Sequence, residues 1–308
     1  MAVTGCQFVA LTVNHVQSRT SGFLESTGAL ELQIAIASAN ILKMSRSLAQ
    51  LAVISALSVT LLGQRLFAAP TTSEQLVMLA VTGRKQVQQK KYDEALLTLS
   101  KALAMNPTAR QAAEIYGERG GVYVEKGELD KAMSDAEAAV RLAPNYFRGY
   151  QVRGRIYRHR KQLDRALQEF GRALQLAPQF AQLYNNRGNV FTDKGQPRLA
   201  IQDFTEAIRR APKALDGYVN RGGSYLQIRE FDRAIADLNK AIQLFPNDSD
   251  AYYNRGLAHM GKDDYQTAIA DFTRARALSP RDPEISHAIA EARAKLGESP
   301  RPRTSGKR

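Results

Sequence analysis

Prolines punctuate this chain at a fixed spacing. Pro144, Pro178, Pro212, Pro246 and Pro280 follow one another at intervals of 34 residues, and Pro107 precedes the first of them by 37. A constant period of this size argues against one central core. Each period is a supersecondary unit that cannot bury its apolar face alone and must stack on its neighbours. With proline set at position 32, the repeats are 76–109, 113–146, 147–180, 181–214, 215–248 and 249–282. Position 8 is Gly83, Gly120, Gly154, Gly188, Gly222 and Gly256, and position 20 is Ala95, Ala132, Ala166, Ala200, Ala234 and Ala268. Position 27 is again alanine in all six, and position 4 is Tyr116, Tyr150, Tyr184, Tyr218 and Tyr252 in repeats two to six. Small residues at 8 and 20 let two antiparallel helices approach closely, while the aromatic at 4 and the residue at 24 (Phe170, Phe204, Phe272) fill the remaining gap. Gly127 and Gly195 stand where a first helix must end, a place suited to positive φ. The proline stops the second helix, because it has no N–H to donate and clashes with the preceding turn.

On these residues the chain resembles the tetratricopeptide repeat (TPR) family, over about two-thirds of its length. The resemblance implies an all-α fold: a right-handed α-solenoid of six helix-turn-helix repeats within 70–297, with a C-terminal capping helix at 283–296. Glu291, Arg293 and Lys295 give that last helix a polar outer face, as the exposed end of a solenoid requires. Residues 298–308 form a basic, Pro/Ser/Gly-rich tail with the composition of a disordered segment. The first repeat is the most divergent, with Leu79 at position 4 and Gln86 at position 11. Three extra residues, 110–112, follow it. Three residues make close to one helical turn, so the first helix of repeat two is expected to start a turn early, with Thr108 as its N-cap.

The stretch from Met44 to Pro70 has a short basic start at Arg46, an apolar run from Leu48 to Leu62, and small residues at Ala68 and Ala69. That is the anatomy of a secretory signal, with 44–69 as the signal or anchor. An uncleaved N-terminal anchor and a helix packed on the array remain the alternatives. The run barely reaches a bilayer's requirement and contains Gln50, Ser55, Ser58 and Thr60. Residues 1–43 show neither repeat phase nor motif and read as a non-native or disordered extension ahead of a start at Met44. The expectation is a bacterial protein exported to the periplasm or envelope, with an inner-membrane-anchored or cytoplasmic protein as alternatives.

The net charge is +13, of which about +8 falls on the array, interspersed with Asp and Glu. Such a balance allows an acidic partner, a nucleic acid or an anionic surface, but a solvated helical face is the commoner cause. A single cysteine, Cys6, excludes an intramolecular disulfide and a cysteine-based metal site, and the four histidines lack metal-ligand spacing. His259, at a normally aromatic position, is expected to pack in the core. No catalytic motif and no phosphate-binding glycine loop is present, so neither an enzyme nor a cofactor is expected.

Two sets of residues recur. Position 7 is Arg119, Arg153, Arg187, Arg221 and Arg255, and position 23 is Asp135, Glu169, Asp203, Asp237 and Asp271. Both charges are absent together from repeat one, which has Thr82 and Thr98, so 7 and 23 are expected to pair within a repeat or across a junction. The second set is what the resemblance implies: first helices line a concave groove for extended peptides or partner proteins. Repeat three supplies a cationic patch there (Arg148, Gln151, Arg155, Arg158, His159), and repeat four a neutral amide patch (Gln182, Asn185, Asn186, Asn189). Repeat five adds Asp216 and Asn220, and repeat six adds Asp250, Tyr253 and Asn254. Asn186, Asn220 and Asn254 share position 6, and a row of carboxamides can grip peptide amides without reading sequence, as in the TPR array of O-linked sugar transferases. The carboxylate clamp of co-chaperones fits poorly. Its asparagines are matched by Asn189 and Asn220, but Asn185, Asp250 and Asn254 stand where cations are required.

Overall fold

The computed structural model describes residues 71–298. The expectations for 1–43, for the signal or anchor at 44–69, and for the tail beyond Glu298 lie outside the described residues. Thirteen helices and no strand occur among the described residues. They are α1 (Thr72–Gln88), α2 (Tyr92–Leu103), α3 (Ala109–Glu125), α4 (Leu129–Leu142), α5 (Phe147–His159), α6 (Leu163–Leu176) and α7 (Ala181–Asp193). There follow α8 (Pro197–Arg210), α9 (Leu215–Gln227), α10 (Phe231–Leu244), α11 (Ser249–Gly261), α12 (Tyr265–Leu278) and α13 (Pro283–Glu298). Each helix packs on the next, and successive first helices (α1, α3, α5, α7, α9, α11) also touch one another. No comparable contact joins successive second helices. The result is a solenoid with the first helices gathered on one face.

Local chemistry sets the helix ends. Ala143, Ala177 and Ala211, each before a proline, adopt ψ of 84°, 63° and 71°, and the second helix ends there. Between the two helices of every repeat, position 15 lies in the left-handed region. Gly127 and Gly195 occupy it at φ 75° and 68°, as their residue type suggests. In the other four repeats the same conformation is imposed on Lys90, Lys161, Arg229 and Asp263, which residue type alone does not signal. Thr108 caps α3 through a reciprocal box with Gln111, and α3 begins four residues before the 34-residue frame. An equivalent box between Thr71 and Glu74 starts α1 equally early.

The glycines at position 8 have a specific partner. A Cβ at Gly154, Gly188 or Gly256 would come within 2.9, 2.6 or 2.5 Å of the ring of Phe170, Phe204 or Phe272. At Gly222 the neighbour is Leu238, at 2.9 Å. Position 24 thus fills the space that the missing side chain at position 8 leaves. Each of these phenylalanines is fully buried and contributes about 1.5–3 kcal/mol by leaving water. At the far end, α13 buries Ile285, Ala288, Ile289 and Ala292 against α12 and turns Glu291, Arg293 and Lys295 outward. It runs two residues past the expected end at 296.

Candidate functional site

The recurring arginines brace the stack. Arg119, Arg187 and Arg221 each make a two-pronged contact to Asp135, Asp203 and Asp237, with both N–O distances at 2.7–2.8 Å. Arg255 grips Asp271 at 2.9 and 2.6 Å, and Arg153 grips Glu169 at 3.0 and 2.8 Å. The four aspartates are buried. Hydrogen bonds to them hold Arg119, Arg187, Arg221 and Arg255 above the ordinary guanidinium pKa. The remaining Nη1 reaches across the junction in three repeats, from Arg119 to Ser100, from Arg221 to Thr205 and from Arg255 to Asn239, at 3.0, 3.0 and 2.6 Å. The carboxylate contact is therefore within a repeat and the third donor links repeats.

A second, surface ladder went unnoticed in the sequence. Lys126 pairs with Asp93, Arg160 with Asp130, Lys194 with Asp164 and Lys262 with Asp232. Each joins position 14 to position 18 of the preceding repeat. At the one junction between repeats where this ladder is missing, Ile228 and Arg198 replace both charges together, which was the available signal. These carboxylates are largely exposed, so each pair is worth little alone.

The first-helix face divides into two parts. One hollow, of about 270 Å³, is bounded by α1, α3, α5 and α7, with Arg84, Glu118, Glu125, Arg148, Gln151 and Arg155 among its lining. The cationic patch expected here is neutralised. Buried Glu118 takes Arg84 at 3.1 Å and Arg148 at 3.4 Å, Glu125 takes Arg155 at 2.6 Å, and Asp193 takes Arg158 at 2.6 and 3.3 Å. Glu118, Glu125 and Asp193 are the residues that counting within one repeat missed. Gln151, also expected in the open groove, is on its floor, 6% exposed, and donates to Gln182 at 3.4 Å. Asn185 is likewise buried, with its Oδ1 unpaired among the described residues. Position 5 faces the flank between adjacent first helices, and this sinks both side chains.

The other hollow, of about 470 Å³, is built by α7, α9 and α11 and lined by Asn189, Asn220, Asp250, Tyr253 and Asn254 among others. No hydrogen bond engages the carboxamides of Asn189, Asn220 or Asn254 among the described residues. Asn186, whose buried Nδ2 is also unpaired among them, lies in a smaller hollow of about 220 Å³ with Glu125, Arg155, Arg158, His159 and Gln182. Among the described residues Asp250 accepts only from Ser249 Oγ, at 3.4 Å, and Asp216 is exposed at the start of α9. Asp250 and Asp216 give this half a negative character. His259, expected to pack in the core, instead bonds Asp264 through Nδ1 at 3.1 Å with its ring mostly covered. No group of residues that could hold a metal ion occurs among the described residues, and none of their helices is long and apolar enough to cross a membrane.

Family models described as tetratricopeptide repeat, or TPR repeat, match residues 82–147 and 185–249, 154–195, and 222–294. Between them they span 82–147 and 154–294, which is more than half of the chain. The chain belongs to the tetratricopeptide repeat family. Among curated proteins, this TPR protein is similar to the small glutamine-rich tetratricopeptide repeat-containing protein 2 of Saccharomyces cerevisiae, 35% identical over 72 residues. It is also similar to the Hsp70-Hsp90 organizing protein of Triticum aestivum, 31% identical over 68 residues. The matches take in 23% and 22% of this chain but only 20% and 11% of those relatives. Among solved structures, a chain of the APC/C hetero-tetramer Cut9-Hcn1 superposes with a TM-score of 0.65 at 23% identity, covering 70% of this chain and 42% of that one. PilF of Pseudomonas aeruginosa gives 0.60 at 19% identity, covering 71% of this chain and 99% of that one. At such identities these two likenesses bear on the fold alone.

Proposed function

We propose that this TPR protein is a non-catalytic scaffold that holds an extended peptide, or an extended segment of a partner protein, along its first helices. The observation that carries this reading is the set of side-chain amides at Asn186, Asn220 and Asn254, one per repeat. Asn186 shares a hollow with Arg155 and Arg158, and Asn220 and Asn254 share the α7–α11 hollow. Asn186 Nδ2 and the other two carboxamides have no hydrogen-bond partner among the described residues. A carboxamide donates and accepts, so such a row matches the alternating N–H and C=O of an extended backbone. The name of one curated relative, an Hsp70-Hsp90 organizing protein, agrees with a role in organising other proteins. This chain lacks the cations of a carboxylate clamp, however, and Asp250 stands where one would be. The preferred ligand is therefore neutral or basic at the α9–α11 end.

Nucleic-acid binding is the weaker reading. The position-7 arginines are spent on internal carboxylates, and Arg148, Arg155 and Arg158 are each paired as well. Among the described residues no row of free guanidinium groups remains on this face to follow a phosphate backbone. The residues at 44–69 support export to a bacterial envelope, which N-terminal sequencing of the mature chain tests by the presence or loss of residues before Pro70.

The decisive experiment is binding to an array of unstructured peptides. Asn186, Asn220 and Asn254 replaced together by Ala are expected to weaken the best binders by about a hundredfold, at about 1 kcal/mol per lost amide contact. Helix content by circular dichroism should not change. Unaltered affinity, or binding to RNA that falls steeply with salt, would overturn the reading.

A further inference from the structure

The two ends of the stack differ. α13 covers the last repeat, whereas among the described residues no helix pair precedes α1. Position 3 of every later repeat packs on the repeat before it. Gly149 and Gly217 lie so close to Val140 and Ile208 that a Cβ would come within 2.7 and 2.8 Å. Ile115, Leu183 and Ala251, in the same position, are 3%, 0% and 0% exposed. Met78 holds position 3 in the first repeat and is 61% exposed, beside Val77 at 51% and Val81 at 58%.

These three side chains form one stripe on α1, with the exposed Glu74 one turn before them and the exposed Lys85 one turn after. The stripe therefore runs acidic, apolar, basic, and it is its own complement when reversed. In two antiparallel α1 helices related by a two-fold axis midway between residues 79 and 80, Glu74 faces Lys85 of the second copy and Met78 faces its Val81. A hollow of about 220 Å³ beside the stripe has Leu76, Ala80, Leu99 and Ile115 on its apolar wall and Arg84, Gln111, Glu114 and Glu118 on its polar one. We infer that α1 is a dimerisation helix that joins two copies of this chain through an isologous contact at their N-terminal repeats. An unrelated partner would have to match both the apolar centre and the order of charge, and a second copy supplies both by symmetry. The peptide-holding faces of the two copies then belong to one assembly, so a ligand with two binding segments gains from effective concentration.

Sedimentation equilibrium on the full chain tests this. The wild type is expected to show a concentration-dependent dimer. Met78→Glu and, separately, Val81→Glu should each raise the dissociation constant by at least about tenfold, as for a central interface residue, with unchanged thermal unfolding of the monomer. Lys85→Glu should weaken self-association by setting a carboxylate against Glu74 of the second copy, and adding Glu74→Gln, which removes that charge while keeping the capping box with Thr71, should recover part of the loss. A wild type that is monomeric throughout overturns the inference. So does a dimer indifferent to Met78→Glu or to Lys85→Glu.

Discussion

Tyr146, the last residue of repeat two, is 7% exposed with Arg110 over its ring at 4.8 Å, and burial pushes its phenol up to about 12. An acid whose pKa rises on folding keeps its proton in the native state after the unfolded chain has lost it at about pH 10. Its stabilising effect is thus fully present below about pH 10 and is lost as the pH rises toward about 12. In urea unfolding, the wild type should lose about 2 kcal/mol more than Tyr146→Phe between about pH 9 and about pH 12. Equal losses in the two proteins would show that the phenol is not held neutral by burial. At the same scale, the glycines of position 8 were legible as sites of close approach, but their partner was not. The space at Gly188 is shaped by the Phe204 ring, and at Gly120, where position 24 is Ala136, it meets Asp135 instead. The left-handed turn at Lys161 or Arg229 could not be read from residue type, because helix packing imposes it on side chains that do not favour it.

The helix pair is the unit in which the arginine–carboxylate contact works. Arg187 and Asp203 join α7 to α8 with two short bonds, and the side chains are 29% and 7% exposed. Removing Asp203 leaves a half-covered guanidinium without its anion, and removing Arg187 leaves a buried carboxylate. A double-mutant cycle with Arg187→Met and Asp203→Asn, followed by chemical unfolding, should give a coupling energy of about 1–3 kcal/mol. A coupling near zero would reduce the pair to incidental surface charge. The pairing was readable from joint recurrence and joint loss, since repeat one lacks both partners. Its third contact, from Nη1 to Ser100, Thr205 or Asn239 of the preceding repeat, was not readable, because position 25 varies in residue type and only geometry brings it within reach.

At the scale of the molecule, a stack held by nearest-neighbour contacts should open from its ends. Ile285→Ala with Ile289→Ala empties the seam between α12 and α13, at about 2–5 kcal/mol for each side chain. Hydrogen exchange should then show lost protection in α11, α12 and α13 while α3 to α6 keep theirs. Uniform loss along the chain would mean that the repeats unfold as one cooperative block. The helix-pair phase and the presence of a terminal helix were legible in the sequence alone, because spacing within 34 residues is a local property of the chain. Tertiary structure decided which charges on the first-helix face are available to a partner. Glu118 meets Arg84 from 34 residues away, Glu125 meets Arg155 from 30, and Asp193 meets Arg158 from 35. Those meetings exist only because stacking sets consecutive first helices side by side, which turns a cationic patch in the sequence into a paired surface and leaves the amides of Asn186, Asn220 and Asn254 among the groups without a full set of partners within the described residues.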